Sequence, residues 1–188
     1  MMNMIFCHGV MDPEYNWKER EYNDKKGWKY WLQFVVEKEH DVMMQMPEFP
    51  HAHVLLMKYD EWEKIMDFQD INPDTTLIGH SAGGGFVLKY MARHPELKVR
   101  QIVLVAPWMD AENFQPFGFY KDADLSDRIV NQAQFGCDLM ISDDDDFYIL
   151  SSFDKITKQM PGIHVHKFSG HGHFIDPTLP EILPIIKF

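Results

Sequence analysis

The sequence predicts an α/β protein: a three-layer α/β/α sandwich built on a mostly parallel sheet of about six strands. Two observations predict it. Short apolar runs alternate with segments of helical period along the whole chain, and no repeat or low-complexity tract interrupts that alternation. The 188 residues are enough to bury a core without disulfides or metal, so one domain over 1–188 is expected.

The first strand is expected at 3–8. Trp28, Trp31, Leu32, Val35 and Val36 then recur at i, i+3, i+4, i+7 and i+8, the stripe of an amphipathic helix. A second strand is expected at 41–46 and a loop at Pro47 and Pro50. Trp62, Ile65 and Met66 give the next helix its apolar face. Asn72-Pro73-Asp74 turns into the apolar run Thr76-Leu77-Ile78, and a helix follows from Gly83-Gly84-Gly85 to Arg93, ended by Pro95. Residues 99–106 form the clearest buried strand; further strands are expected at 139–142 and 163–168, and a closing helix at about 179–186.

Eighteen basic against twenty-nine acidic residues give a formal charge of -11. No basic stripe occurs, which argues against nucleic acid and anionic membrane as partners. The N-terminus has no charged n-region, and no apolar run approaches the ~18 residues of a membrane span. With only Cys7 and Cys137 as thiols, a reducing compartment and a cytoplasmic protein are expected.

Chemistry enters at Gly79-His80-Ser81-Ala82-Gly83, which lies between the apolar run and the helix. A GxSxG string there is a nucleophile elbow: the serine sits on a sharp strand-to-helix turn that lifts its hydroxyl over the end of the sheet. The five letters alone can arise by chance, so the context carries the reading. Glycines at the helix start also let it lie close to the sheet.

A serine nucleophile needs a base, and Gly170-His171-Gly172-His173-Phe174 follows the last strand. His173 is assigned, with His171 as the alternative. An acid must hold the other ring nitrogen, and the preceding strand leads into Asp143-Asp144-Asp145-Asp146. Spacing alone does not separate neighbours in a turn; Asp145 is preferred, then Asp144, with Asp110 a more distant candidate. The remaining aspartates read as a solvated loop. The oxyanion donors are assigned to the N–H groups of Ala82, directly after the serine, and Val10, after Gly9.

Two longer irregular stretches, 9–27 and 107–125, leave strand C-terminal ends, the edge where α/β sheets carry their sites. Trp108, Met109, Phe114, Phe117, Phe119 and Tyr120 in the second could line an acyl or aromatic pocket, or pack the loop onto the core. His8 is either a site residue or a strand-end histidine. His164, His166, His171 and His173 also have spacings that suit zinc, and His51 and His53 are paired without a third ligand. Because His173 serves as base and the reaction needs no metal, neither metal nor cofactor is assigned. His80 is expected to pack or hydrogen-bond locally.

Along most of its length the chain resembles the YdeN-like serine hydrolases, the family that includes the retinoblastoma-binding hydrolase. The resemblance rests on His8-Gly9 after the first strand, Met46-Pro47 after the second, GHSAGG at the elbow, IVLVAP at 102–107, SDDDDF at 142–147 and GHF at 172–174. It implies a minimal α/β-hydrolase fold without a large cap domain. By position it places the nucleophile on Ser81, the acid on Asp145 and the histidine on His173. Asp146 and Ile149 stand where the family commonly has prolines, and the loop at Asp12-Pro13-Glu14-Tyr15-Asn16-Trp17 is distinctive. No Leu-x-Cys-x-Glu string occurs, so a retinoblastoma-type interaction is not implied. The expected function is esterase-type hydrolysis of a small-molecule acyl substrate. The alternatives are amide or peptide hydrolysis, acyl transfer to another acceptor, or a binding or regulatory protein with an inert site.

Overall fold

The computed structural model describes residues 2–10, 27–109 and 118–188. Its elements run β1 Asn3–Cys7, α1 Trp28–Glu39, β2 Met43–Gln45, α2 Tyr59–Asp67, β3 Thr75–His80, α3 Ala82–Arg93, β4 Gln101–Val105, α4 Asp127–Val130, β5 Cys137–Ser142, α5 Phe147–Gln159 and β6 His164–Phe168, with a 3₁₀ turn at Pro180–Ile182. The six strands form one sheet in the order β2-β1-β3-β4-β5-β6. Every pairing is parallel.

A parallel sheet must be covered on both faces, because its crossover helices lie there. The central strands show it: β4 and β5 are buried at every residue, and β3 at all but His80. The edges differ, since most residues of β6 are exposed and β2 keeps only Met44 buried. Helix α3 is buried at every residue but Arg93. Its Phe86 joins Phe49, Trp62, Tyr59 and Phe119 in an aromatic cluster with ring centroids 4.5–6.2 Å apart. Each such side chain removed from water contributes about 1.5–3 kcal/mol.

Several boundaries differ from expectation, each for a local reason. The second strand is only Met43–Gln45: Asp41 has φ 53°, and the Val42 N–H returns to the Val36 carbonyl at the end of α1. The fourth begins at Gln101, with Val99 making an isolated bridge to Ala133, and it stops where Ala106 takes φ 44°. β5 begins two residues earlier than its apolar run suggests, because the buried Asp138 is satisfied by Gln101 Nε2 at 2.7 Å and His166 Nε2 at 2.8 Å. β6 starts at His164 rather than at 163. The expected C-terminal helix is one 3₁₀ turn followed by further turns; Pro184 lacks the N–H a helix would need and its ring blocks the preceding turn. Leu179, Ile182, Ile185 and Ile186 are nevertheless buried. The short helix α4 had no distinct signal in the sequence.

Candidate active site

β2 lies on one side of β1 and β3 on the other, so the chain reverses its winding between β1 and β3. The crevice outside the C-terminal ends of two such strands is where open α/β sheets bind ligands. Gly9, just past β1, and Ser81, just past β3, meet there. A Cβ at Gly9 would stand 2.9 Å from Ser81 Cβ and 3.5 Å from Ser81 Oγ, so only glycine lets the loop approach this closely.

Ser81 has φ 55° and ψ -124°, a conformation that costs a non-glycine residue of order 1–3 kcal/mol and persists only when its surroundings enforce it. They do. Its N–H donates to the Val105 carbonyl at 3.0 Å, and its own carbonyl accepts from Gly84 and Trp108 N–H groups, both at 2.9 Å. Close packing completes the turn. A Cβ on Gly79 would lie 2.6 Å from Gly84 Cα, and one on Gly83 would overlap the Cys7 carbonyl.

From the other side of the sheet comes His173. Its Nε2 is 2.9 Å from Ser81 Oγ, and its Nδ1 is 3.1 Å from each oxygen of Asp145. A carboxylate at Nδ1 holds the proton on that nitrogen and leaves Nε2 as the acceptor for the serine hydroxyl. The Asp145 side chain is 1% exposed and that of His173 33%, so the acid is sealed while the imidazole faces the crevice. Asp145 Oδ1 also accepts the Asp146 N–H at 2.6 Å.

His171, the alternative base, turns away: its ring stacks on Phe174 at 5.3 Å and its Nδ1 lies 4.0 Å from Asp176. The four aspartates, three of which read as a solvated loop, instead have separate partners. Asp143 accepts from Ser169 Oγ, Asp144 from the Ser142 hydroxyl and the Gly170 and Gly172 N–H groups, and Asp146 from the Tyr148 N–H as the N-cap of α5. Asp144 therefore does not face His173. Asp110 lies outside the described residues.

The N–H groups of Ala82 and Val10 donate no hydrogen bond among the described residues. Val10 is oriented indirectly. His8 Nε2 accepts the Phe49 N–H at 3.1 Å, so its proton is on Nδ1, which donates to the Gly9 carbonyl at 2.7 Å. Across a trans peptide, the C=O of one residue and the N–H of the next point in opposite directions. The ring therefore sets the direction of the Val10 N–H. His8 thus stands at the end of β1 with both ring nitrogens bonded to backbone.

Of the residues expected either to line a pocket or to pack the loop onto the core, two take the second place. Met109 and Phe119 have no exposed surface and belong to the core; Phe119 packs edge-on against Trp62 at 5.0 Å, and its carbonyl accepts from the buried Lys89 at 2.8 Å. Trp108 is 8% exposed, and its indole N–H has no partner among the described residues. Phe114 and Phe117 lie outside the described residues. His164 and His166 both turn to Asp138, at 3.6 and 2.8 Å. Among the described residues no three metal-ligating side chains converge as an ion would need.

His80, expected to pack or hydrogen-bond locally, makes its bond far along the chain instead. Its Nε2 donates to the His173 carbonyl at 2.9 Å and its ring meets Trp28 edge-on. Burial, reinforced by the adjacent His173, pushes its pKa down from 6.5 to about 3. The ring is thus a neutral N–H donor that holds the backbone of His173. No sequence signal could have found this bond, which joins residues 93 positions apart.

A family model described as the α/β-hydrolase fold matches residues 69–145, from the approach to β3 through Asp145. No curated protein sequence matches the chain. Among solved structures, the ydeN gene product of Bacillus subtilis is similar with a TM-score of 0.73 at 16% identity, over 98% of this chain and 96% of that one. A YdeN-like hydrolase from Pectobacterium atrosepticum is similar at 0.55 and 14% identity, over 92% and 80%. Naproxen esterase (carboxylesterase NP) from Bacillus subtilis is similar at 0.57 and 12% identity, over 97% and 80%. Six parallel strands, a strained serine turn at the winding reversal and these likenesses lead to one conclusion: the chain has the α/β-hydrolase fold and resembles the YdeN-like hydrolases over nearly its whole length.

Proposed function

We propose that this protein is a serine hydrolase acting on a small acyl ester, with Ser81 as nucleophile, His173 as base and Asp145 as the acid that orients it. The observation that carries the reading is the continuous contact from Asp145 through His173 Nδ1 and Nε2 to Ser81 Oγ, at 3.1 and 2.9 Å. His173 Nε2 takes the Ser81 proton as Oγ attacks the substrate carbonyl, and the negative oxygen that forms is met by the Ala82 and Val10 N–H groups. The intermediate collapses, the C–O bond to the alcohol breaks, and His173 returns its proton to the leaving oxygen. Water, deprotonated by the same imidazole, then attacks the acyl-serine; the bond from the acyl carbon to Ser81 Oγ breaks, His173 returns the proton to Oγ, and the acid leaves the free enzyme.

Ester chemistry is supported by the name of naproxen esterase among the similar structures. A binding protein with an inert site would tolerate an acid turned to solvent or a histidine out of reach, and neither is seen here. A fluorophosphonate probe should label Ser81 in the folded protein. The Ser81→Ala variant should lose p-nitrophenyl acetate hydrolysis by on the order of 10⁶-fold. An unlabelled serine together with a fully active alanine variant would end the hydrolase reading.

A further inference from the structure

The triad uses one of the four consecutive aspartates and one histidine of the Gly-His-Gly-His loop, and the neighbours of both are joined to one another. Asp144 Oδ1 accepts the N–H groups of Gly170 and Gly172, each at 3.1 Å, and the hydroxyl of Ser142. That same Ser142 Oγ accepts the His171 N–H at 3.2 Å. Three successive N–H groups of the loop are therefore held by two side chains at the end of β5. Gly170 and Gly172 have φ 79° and 48°; successive N–H groups turned inward by such left-handed steps form a nest that fits an anionic oxygen. The hydrogen bonds from Ser142, Gly172 and Gly170 keep Asp144 below the usual carboxylate range.

We propose that Asp144 is a positioning residue: its carboxylate clasps the Gly170–Gly172 backbone and so fixes where the next residue, His173, presents its ring to Ser81. The proposal rests on His173 being the base, as argued above. Asp144 and the His80 ring grip opposite ends of the same segment, one through N–H groups before His173 and the other through the His173 carbonyl. The clasp depends on an accepting oxygen more than on charge, since all three of its donors are neutral: two backbone amides and the Ser142 hydroxyl. This assigns separate tasks to neighbouring residues, with Asp145 holding the imidazole and Asp144 holding the chain that carries it.

The test uses Asp144→Ala and Asp144→Asn in the full-length protein, with p-nitrophenyl acetate as substrate. Asp144→Ala should lower kcat by roughly 10- to 100-fold, the scale of an ångström-sized misplacement of a reacting group, while KM stays within about twofold. Asp144→Asn keeps an accepting oxygen and should recover to within about threefold of the parent kcat, the shortfall reflecting the weaker neutral acceptor. An alanine variant with parental kcat overturns the proposal. So does an asparagine variant as slow as the alanine one, which would make the effect one of charge. Amide hydrogen exchange in Asp144→Ala supplies a readout independent of activity: Gly170 and Gly172 should exchange faster while β3 and β4 keep their protection. Unchanged exchange at both glycines rejects the clasp even if Ser81 proves unreactive, and a failed fluorophosphonate reaction in the parent rejects the hydrolase reading without touching the clasp.

Discussion

The two halves of the site are held in place by different physics. On the nucleophile side, β1, β3 and α3 press together with almost no exposed surface, and Ser81 keeps its strained backbone because glycines allow the strand, the helix and the first loop to close around it. On the acid-base side, β5 and the edge strand β6 end in exposed loops where hydrogen bonds do the work: Asp143 to Ser169, Asp144 to two glycine amides, His80 to the His173 carbonyl. Packing holds a group that must not move, because any shift meets dense neighbours. A hydrogen-bonded loop is held at fewer points, which suits the proton-carrying role proposed for His173.

This contrast can be broken at each end. After Ser81→Ala, the largest effect is expected from Asp145→Asn, which should leave the fold intact yet lower kcat by roughly 10⁴-fold, because an amide no longer holds His173 in the tautomer that accepts from serine. Steady-state kinetics beside a thermal melt check it, and a variant that loses stability in step with activity would place Asp145 among the structural groups. Gly83→Ala is the counterpart on the packed side. Its Cβ would overlap the Cys7 carbonyl, and overpacking of this kind costs typically 1–3 kcal/mol. Denaturant unfolding should register that loss at full strength, and an unchanged midpoint would mean that the β1–α3 contact is not tightly packed.

The smallest effect is the dependence of stability on pH. His80 binds its proton near 6.5 when unfolded and near 3 when folded, so between those values the unfolded chain holds more protons than the native one. Stability from this residue is therefore intact above about pH 6.5 and declines as the pH falls toward 3. Replacing His80 with Gln, which keeps an N–H donor without a titrating ring, should flatten that part of the curve. Equal slopes for parent and variant from pH 6 to 4 would show that other groups govern the acid limb.

Most of the nucleophile half was legible in the sequence, because it is local. Gly79 through Gly85 specify a strand, a turn and a closely packed helix within a few residues, and His8-Gly9 announces the loop that meets them. The acid-base half was legible only in outline. Four aspartates in a row differ by single steps around a turn, and the direction of each depends on partners such as Ser169, Gly172 and Tyr148 that lie two to 28 residues away. The aromatic run after Pro107 left two readings open for a related reason: apolar side chains have the same composition whether they line a pocket or fill a core, and Phe119 fills the core.

By itself, then, the sequence determined the α/β architecture, the serine turn and the two loops that hold the proposed acid and base, since each is encoded by periodicity or by residues adjacent in the chain. Only the tertiary structure decided which aspartate meets His173, that His171 turns away, and that His8, His80 and Asp144 stand behind the reacting groups. Those contacts connect strands that are neighbours only after the sheet has formed, and a hydrogen bond depends on ångströms and angles that no spacing along the chain can specify.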